Sequence, residues 1–345
     1  MDQQRLHLKL ANDGSFFILS SRASRGEQVM AEKKHEPLYH YTCQKGFLGI
    51  IENKEMWATN IFFLNDSTEY LYGAELIAKI LEDYLEKNGF SSNPYKRSNV
   101  LGFWLPEFID PRLSYDEAQC VFLDKIRSAF DDVSAFDDET KDKSHLYHIF
   151  ALCFSSKGDD LSQWRGYCPH GIGFCLEFEQ QGLMKQMEKE GLEVVECIYE
   201  EDRQKEEIEK KREEALDDFK KAYENDKRDL KLTMSWLKAY EKFKKLLPRL
   251  KDKVFKDEKE CRFVMALSEL DVSEISFREG KSMVIPYVKV PLAAKTDPIK
   301  IIKKIIVGPT PHGTLSKKSI EVLLRKHGVE KCKVELSKVP YRTWL

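Results

Sequence analysis

The 345-residue chain lacks any apolar run near the roughly 20 residues that a membrane-crossing helix needs. No helical anchor is therefore expected. The short patch Phe16–Leu19 follows Asp13 and does not have the form of a secretion signal. Eight cysteines are present but no CxxC pair, and several sit in apolar runs such as Ala151-Leu152-Cys153-Phe154. That usage argues against a disulfide frame or a zinc site and for buried reduced thiols, so a soluble cytoplasmic protein is expected. Neither GxGxxG nor GxxxxGK occurs, and no internal repeat is visible. Charge of one sign is missing too. With 56 basic and 58 acidic residues the net charge is −2, which excludes a global pull on nucleic acid or anionic lipid and leaves only a local basic groove open. Glycine is absent from residues 200–250, and Pro248 is the one proline there.

What is present is a 42% hydrophobic fraction, enough for a packed core, and a 33% charged fraction, high enough to predict a charged helical segment. Leu38–Thr42 reads as a strand with His40 and Thr42 on one face and Tyr39 and Tyr41 on the other. A helix is expected to follow, with Thr42 at its N-cap. A strand over Glu55–Phe63 precedes an amphipathic helix that carries Leu76, Ile77, Ile80, Leu81, Tyr84 and Leu85 and stops at Gly89. Helical spacing recurs over Tyr115–Phe130. Strands are expected at His148–Ser155, Ile172–Phe178 and Val194–Tyr199. Residues 200–250 read as two long charged helices, a hairpin inserted into the domain and packed on or projecting from its core. A nucleic-acid arm is the sharper reading of that hairpin and a solvated helix pair the plainer one, since acids balance bases throughout. Strands then return at Cys261–Leu267, Met283–Val290, Ile301–Val307 and Lys333–Ser337, with a helix over Ser316–His327. The order predicts an α+β fold with a mixed sheet. Residues 1–34 form an N-terminal extension and 35–345 a single domain.

Four clusters could carry chemistry. His40-Tyr41-Thr42 could hydrogen-bond a ribose or phosphate and stack on a flat ring, or be a core histidine and a helix cap. Asn65-Asp66-Ser67-Thr68-Glu69 is a capping-box pattern or, through Asp66, a metal ligand. The loop Ser155–Tyr167 holds Asp160, Trp164, Arg165 and Tyr167 between two apolar strands, where Trp164 either serves a site or plugs the core. Asp257–Arg262 enters a strand with Glu258, Glu260 and Arg262 at alternate positions, so Glu260 and Arg262 could pair.

Taken in order, these clusters resemble the bacterial family catalogued as domain of unknown function 2971. The resemblance includes Ile285-Pro286-Tyr287, Ile306-Val307-Gly308-Pro309 and Ser337 to Arg342, and spans Pro37 to Arg342. The first 34 residues and the charged helices look like additions of this chain. The opening segment is similar to that of DarT-type and other ADP-ribosyltransferases, and Glu258-Lys259-Glu260 occupies the place of their late glutamate motif. The resemblance implies a split mixed or antiparallel sheet with flanking helices and a cleft for NAD. It implies that His40 and Thr42 bind the cofactor's ribose or phosphate, and that Tyr41 or Tyr167 stacks on nicotinamide; Trp164 is a further candidate for cofactor binding. Glu260 would accept the nicotinamide-ribose 2′-hydroxyl, Arg165 or Arg262 would neutralise the pyrophosphate, and Glu258 would orient the acceptor.

The expected activity is thus ADP-ribosyl transfer or NAD hydrolysis, of toxin-like or antiphage character, with no metal and no membrane partner. The acceptor is protein, nucleic acid or water, and the charged helices could serve a second copy or a partner protein. A metal-dependent phosphodiesterase or nuclease, with Asp66, Glu69, Asp160 and Glu260 around Mg²⁺, is the alternative enzyme. A nucleotide-binding sensor without catalysis is the alternative outside enzymology.

Overall fold

The computed structural model describes residues 7–10, 16–19, 36–64, 69–90, 112–134, 149–168, 173–225, 230–267, 269–280, 282–294, 299–329 and 331–341. In chain order the elements are β1 (His7–Leu10), β2 (Phe16–Leu19), β3 (Leu38–Cys43), α1 (Gln44–Asn53), β4 (Glu55–Asn60), α2 (Glu69–Lys87), α3 (Tyr115–Ser134), β5 (Ile149–Ser155), α4 (Leu161–Tyr167), β6 (Gly173–Phe178) and α5 (Gln180–Lys189). They continue with β7 (Glu193–Glu196), α6 (Glu201–Asn225), α7 (Leu230–Lys244), β8 (Glu260–Ala266), β9 (Ile275–Glu279), β10 (Val284–Pro291), β11 (Ile302–Val307), α8 (Gly313–Lys326) and β12 (Lys333–Leu336). The chain divides into two compact units, neither of them continuous in sequence. One comprises residues 1–19, 65–146 and 198–253, the other 20–64, 147–197 and 254–345.

The first unit is mainly helical. The apolar stripe expected on α2 is there, with Ile77, Ile80, Leu81 and Leu85 buried, and the helix ends at Gly89, whose φ of 76° suits a residue without a Cβ. The charged helices α6 and α7 are not polar all round. Each turns an aromatic row inward, and Phe219 of α6 stacks on Phe122 of α3 at 4.5 Å while Tyr240 of α7 meets Phe130 of α3 at 5.4 Å. Fully burying such a side chain contributes about 1.5–3 kcal/mol. The outer faces carry the charge, as in the Lys242–Asp218 pair at 2.8 Å. Gln204, fully buried, donates through Nε2 to the carbonyls of Ile198 and Lys251 at 2.6 and 2.8 Å and accepts from Tyr72, which fastens the two ends of the α6–α7 segment. The β1–β2 pair, antiparallel from His7↔Leu19 to Leu10↔Phe16, belongs to the same unit.

The second unit is built on a sheet, ten-stranded among the described residues, that runs β12-β11-β6-β3-β5-β4-β10-β9, with β8 pairing β5 and β7. Its pairs are antiparallel except β11–β12, which is parallel and is connected through α8 as a parallel pair requires. The fold is therefore α+β with a mixed sheet, as expected. Strand β5 organises it. Along one edge β5 pairs with β8 over its full length, Ile149↔Ala266 to Ser155↔Glu260. Along the other edge it meets β3 only at Tyr39↔Ser155 and β4 only at Thr59↔Ala151 and Asn60↔Phe150. Between those two short contacts β3 and β4 part, joined by α1.

The two faces differ in kind. Leu38, Met56, Ala58, Leu152, Phe154, Leu176, Phe178, Phe263 and Val290 point to one face and form the main core with residues of α1, α5 and α8, including Phe47, Leu183 and Ile320. By register the opposite face holds Tyr39, Tyr41, Trp57, Thr59, Cys153, Ser155, Glu260, Arg262 and Tyr287. Against it a smaller apolar cluster of Tyr41, Trp164, Cys168, Cys175 and Ile306 anchors α4.

Candidate functional site

Where β3 leaves β5 the sheet opens into a small cleft of about 40 Å³, open to solvent on one side. That is far below the roughly 300–1,000 Å³ found for ligand pockets, so it has room for part of a ligand and not for a whole dinucleotide. Strand β3 contributes Tyr39, His40 and Tyr41, β5 contributes Cys153 to Ser155, α4 contributes Gln163 and Tyr167, and the approach to β8 contributes Glu258 and Glu260.

His40 lies on the core side of β3, opposite Tyr39 and Tyr41, as its alternation predicts. It reaches the cleft because β3 and β5 have separated beside it. The middle of β5 has no strand ladder on that edge, and the His40 ring supplies the missing donor: Nδ1 lies 2.9 Å from the Cys153 carbonyl oxygen. A carbonyl only accepts, so Nδ1 carries the proton and Nε2 is left with a lone pair. The ring also packs on Phe154 at 5.6 Å. Burial lowers its pKa below the ordinary histidine value, against the smaller opposing effect of the Cys153 hydrogen bond. Burial thus favours the neutral ring, in which Nε2 is the acceptor nitrogen.

The two acids reach the cleft from different backbone. Glu260 is the first residue of β8, while Glu258 ends a 3-10 turn over Lys253–Glu258. Lys259 between them has φ 42°, a left-handed conformation, so the pair does not follow simple strand alternation. The Ser155 hydroxyl donates to the Glu258 carbonyl at 2.7 Å and Ser156 N–H to the Lys259 carbonyl at 3.1 Å, which pins this turn to the end of β5. Glu260 is 7% exposed, and its Oε2 accepts from Arg262 Nη2 at 2.7 Å. Arg262 is 1% exposed and does not line the cleft. The expected Glu260–Arg262 pairing across one strand face is thus present, and it fixes the Glu260 carboxylate.

The aromatic wall is held rigidly. The Tyr41 hydroxyl donates to the Lys157 carbonyl and accepts from Asp160 N–H, both at 2.9 Å, and its ring meets Trp164 edge-on at 4.9 Å. Burial raises the pKa of Tyr41 well above the tyrosine range. Trp164 is fully buried and donates through Nε1 to Asp159 at 3.0 Å, so it plugs the core under α4 instead of facing the cleft. Asp160 is the N-cap of α4, accepting from Ser162 N–H at 2.9 Å. Desolvation pushes its pKa up, and the hydrogen bonds from Ser162 and Gln163 with the Lys157 charge together outweigh that and lower it. Asp159 accepts from Lys338 N–H at 2.7 Å and from the Ser337 hydroxyl, tying this loop to the segment after β12.

Of the residues expected at the site, the cleft gathers His40, Tyr41, Tyr167, Glu258 and Glu260. Trp164 and Arg262 stand behind it as supports. Arg165 is exposed and lies over the Tyr341 ring at 5.5 Å. Thr42 does not line the cleft, and α1 begins one residue later than expected, with Cys43 as its N-cap. Asn65 and Asp66 lie outside the described residues, as does the side chain of Glu69. Among the described residues no group of three or more His, Cys, Asp or Glu side chains is arranged to hold a metal. Tyr39 and Gln163 are additions to the expected set. Tyr39 shares with Tyr41 the strand face opposite His40, and alternation does not distinguish which of the two tyrosines reaches the cleft.

Residues 163–263 match the profile of a family described as Protein of unknown function (DUF2971). The match covers under a third of the chain. It takes in Trp164, Arg165 and Tyr167, strand β6 and Glu258–Arg262, and it runs across the charged helices α6 and α7. The description carries no activity with it. No curated protein and no solved structure matches the chain.

Proposed function

We propose that the cleft between β3 and β5 is an active site for cleaving the nicotinamide–ribose bond of NAD, with transfer of ADP-ribose to an acceptor or to water. One observation supports the reading above the others: His40 and Glu260, 220 residues apart in sequence, line the same cleft. Glu260, held by Arg262, accepts a ribose hydroxyl and stabilises the positive charge that develops on the sugar as the C–N bond breaks. The bonding pair leaves with the nicotinamide nitrogen, which departs neutral. His40 Nε2 accepts from a second hydroxyl and orients the sugar. Tyr39 and Tyr167 offer ring faces to the cationic nicotinamide. Glu258, at the mouth of the turn, takes the proton of the attacking acceptor.

The test is purified protein with nicotinamide-labelled NAD, with and without EDTA, resolving free nicotinamide, ADP-ribose and labelled macromolecule. Wild-type protein releases nicotinamide in EDTA. Glu260→Gln and His40→Ala lower that rate by about 10²–10³ with the fold retained. Wild-type rates in either variant, or NAD bound by the wild type without turnover, would sink the catalytic reading, and the second outcome would make the cleft a sensor.

A further inference from the structure

The cleft has no lysine or arginine among its lining residues. A phosphorylated ligand seated there must meet its counter-charge elsewhere, and neither expected arginine is placed for it. Arg262 is spent on Glu260, and Arg165 lies over Tyr341 at the surface.

Arg278 is in a different situation. It sits on β9, half-buried, on the same sheet face as Thr59, and its Nη2 donates to Thr59 Oγ1 at 3.2 Å. Its Nε is buried and has no hydrogen-bond partner among the described residues. No carboxylate of a described residue pairs with it. Glu279 is adjacent in sequence and so points to the other face. Glu55, on the same face of β4, is committed to Trp57 Nε1 at 3.0 Å and lies 3.9 Å from Lys289. The groups that act on the guanidinium's charge are the Cys43 thiol and the Tyr287 phenol. The two buried arginines among the described residues carry acids: Asp124 and Asp131 for Arg127, Glu260 for Arg262. A desolvated guanidinium without a counter-charge is costly unless a ligand supplies one. Burial accordingly lowers the pKa of Arg278. At Arg127 desolvation acts the same way, but Asp124 and Asp131 outweigh it and raise the value.

Position completes the case. Thr59 pairs with Ala151 of β5, and Cys153, which lines the cleft, is two residues further along that strand on the same face. Two residues at about 3.3 Å each along β5, together with one strand spacing of about 4.8 Å, put Thr59 roughly 8 Å from Cys153. We infer that Arg278, with the Thr59 hydroxyl beside it, is an anion-binding position that takes a phosphate group of a nucleotide whose other end occupies the His40–Glu260 cleft. Thr59 accepts from Arg278 and has its own proton to give to a phosphate oxygen. The inference rests on the nucleotide reading of the cleft for the identity of the anion, but not on catalysis.

The experiment is calorimetric titration of the full chain with ADP, inorganic pyrophosphate and phosphate-free nicotinamide riboside, for wild type, Arg278→Met, Arg278→Lys and Arg165→Met, with melting temperatures. Removing a hydrogen bond to a charged group predicts ADP and pyrophosphate binding weakened about ten- to hundred-fold in Arg278→Met, less in Arg278→Lys, and unchanged in Arg165→Met. Nicotinamide riboside binding stays the same. The melting temperature of Arg278→Met equals or exceeds that of wild type, because an uncompensated charge has been removed; a structural arginine would lower it. A wild type that binds neither ADP nor pyrophosphate, equal affinities in Arg278→Met and wild type, or binding lost together with a lowered melting temperature would overturn the assignment. Arg278-dependent ADP binding without nicotinamide release from NAD removes only the proposed chemistry. Nicotinamide release with a KM untouched by Arg278→Met removes only the anion site.

Discussion

At the scale of single residues, His40 ties fold to site. Its Nδ1 proton completes the hydrogen bonding of β5 where no strand does so, a bond that the ring makes in either protonation state, and it is burial that favours the neutral form. Its folded pKa lies below the 6.5 of a free histidine because of burial. Between those two values the unfolded chain binds more protons than the folded one, so stability rises with pH there and is lost as the pH falls below about 6.5. Asparagine in its place keeps a side-chain N–H for the Cys153 carbonyl and does not titrate. In urea unfolding followed from pH 7.5 to 5, His40→Asn is expected to lose less stability on acidification than wild type. Parallel curves for the two would show that His40 does not titrate on unfolding. Strand alternation alone separated His40 and Thr42 from Tyr39 and Tyr41, and the register bears it out. It could not show that His40 and Tyr39 share one cleft from opposite faces, because that depends on where β3 parts from a strand more than a hundred residues away. Arg278 was illegible for a similar reason: a guanidinium is conspicuous only once its missing carboxylate is seen.

Among the elements, the contact of β3 with β6 is the tightest constraint around the cleft. A Cβ on Gly173 would lie 2.2 Å from Cys168 Sγ and 2.7 Å from the Thr42 carbonyl oxygen. The second of these is backbone inside a ladder and cannot swing aside. Gly173→Ala is expected to cost about 1–3 kcal/mol in denaturant unfolding. Gly166→Ala, on α4 with nothing within 4 Å of the added carbon, should be neutral or slightly stabilising. Equal stability of the two variants would mean that β3 and β6 yield easily. The long strands and helices were readable from periodicity, including β5, β6, β8, β11, α3 and α8. Helix α4 reads as loop from sequence, since seven residues give barely two turns of pattern and its start depends on the Asp160 cap. Strand β9 was missed because it is a short edge strand that leaves Phe277 63% exposed, without the buried alternation that marks a central one.

For the whole molecule, the charged stretch proves to be more than a projecting hairpin. Helices α6 and α7 supply Phe219, Tyr240 and Phe243 to a core whose other side is Phe122 and Phe130 of α3. Charge density gave away the helices but not their partners, which lie about a hundred residues earlier. Replacing residues 201–249 by a short flexible linker, between ends that the Ile198–Leu250 bridge marks as neighbours, should strip α3 of its packing. The expected product binds a hydrophobic dye and loses more helical signal than the deleted residues account for. A deletion variant that unfolds cooperatively at the wild-type temperature would show the segment to be dispensable.

Because β5 answers to β8 on one edge and to both β3 and β4 on the other, its position is fixed three times over. A slip of one residue would not merely misalign one hairpin. It would carry Cys153 and Ser155 into the oily interior, set Leu152 and Phe154 against the buried Glu260 and Arg262, and break the Tyr39, Thr59 and Glu260 pairings together. The strand that borders the cleft is thus the one the fold can least allow to drift.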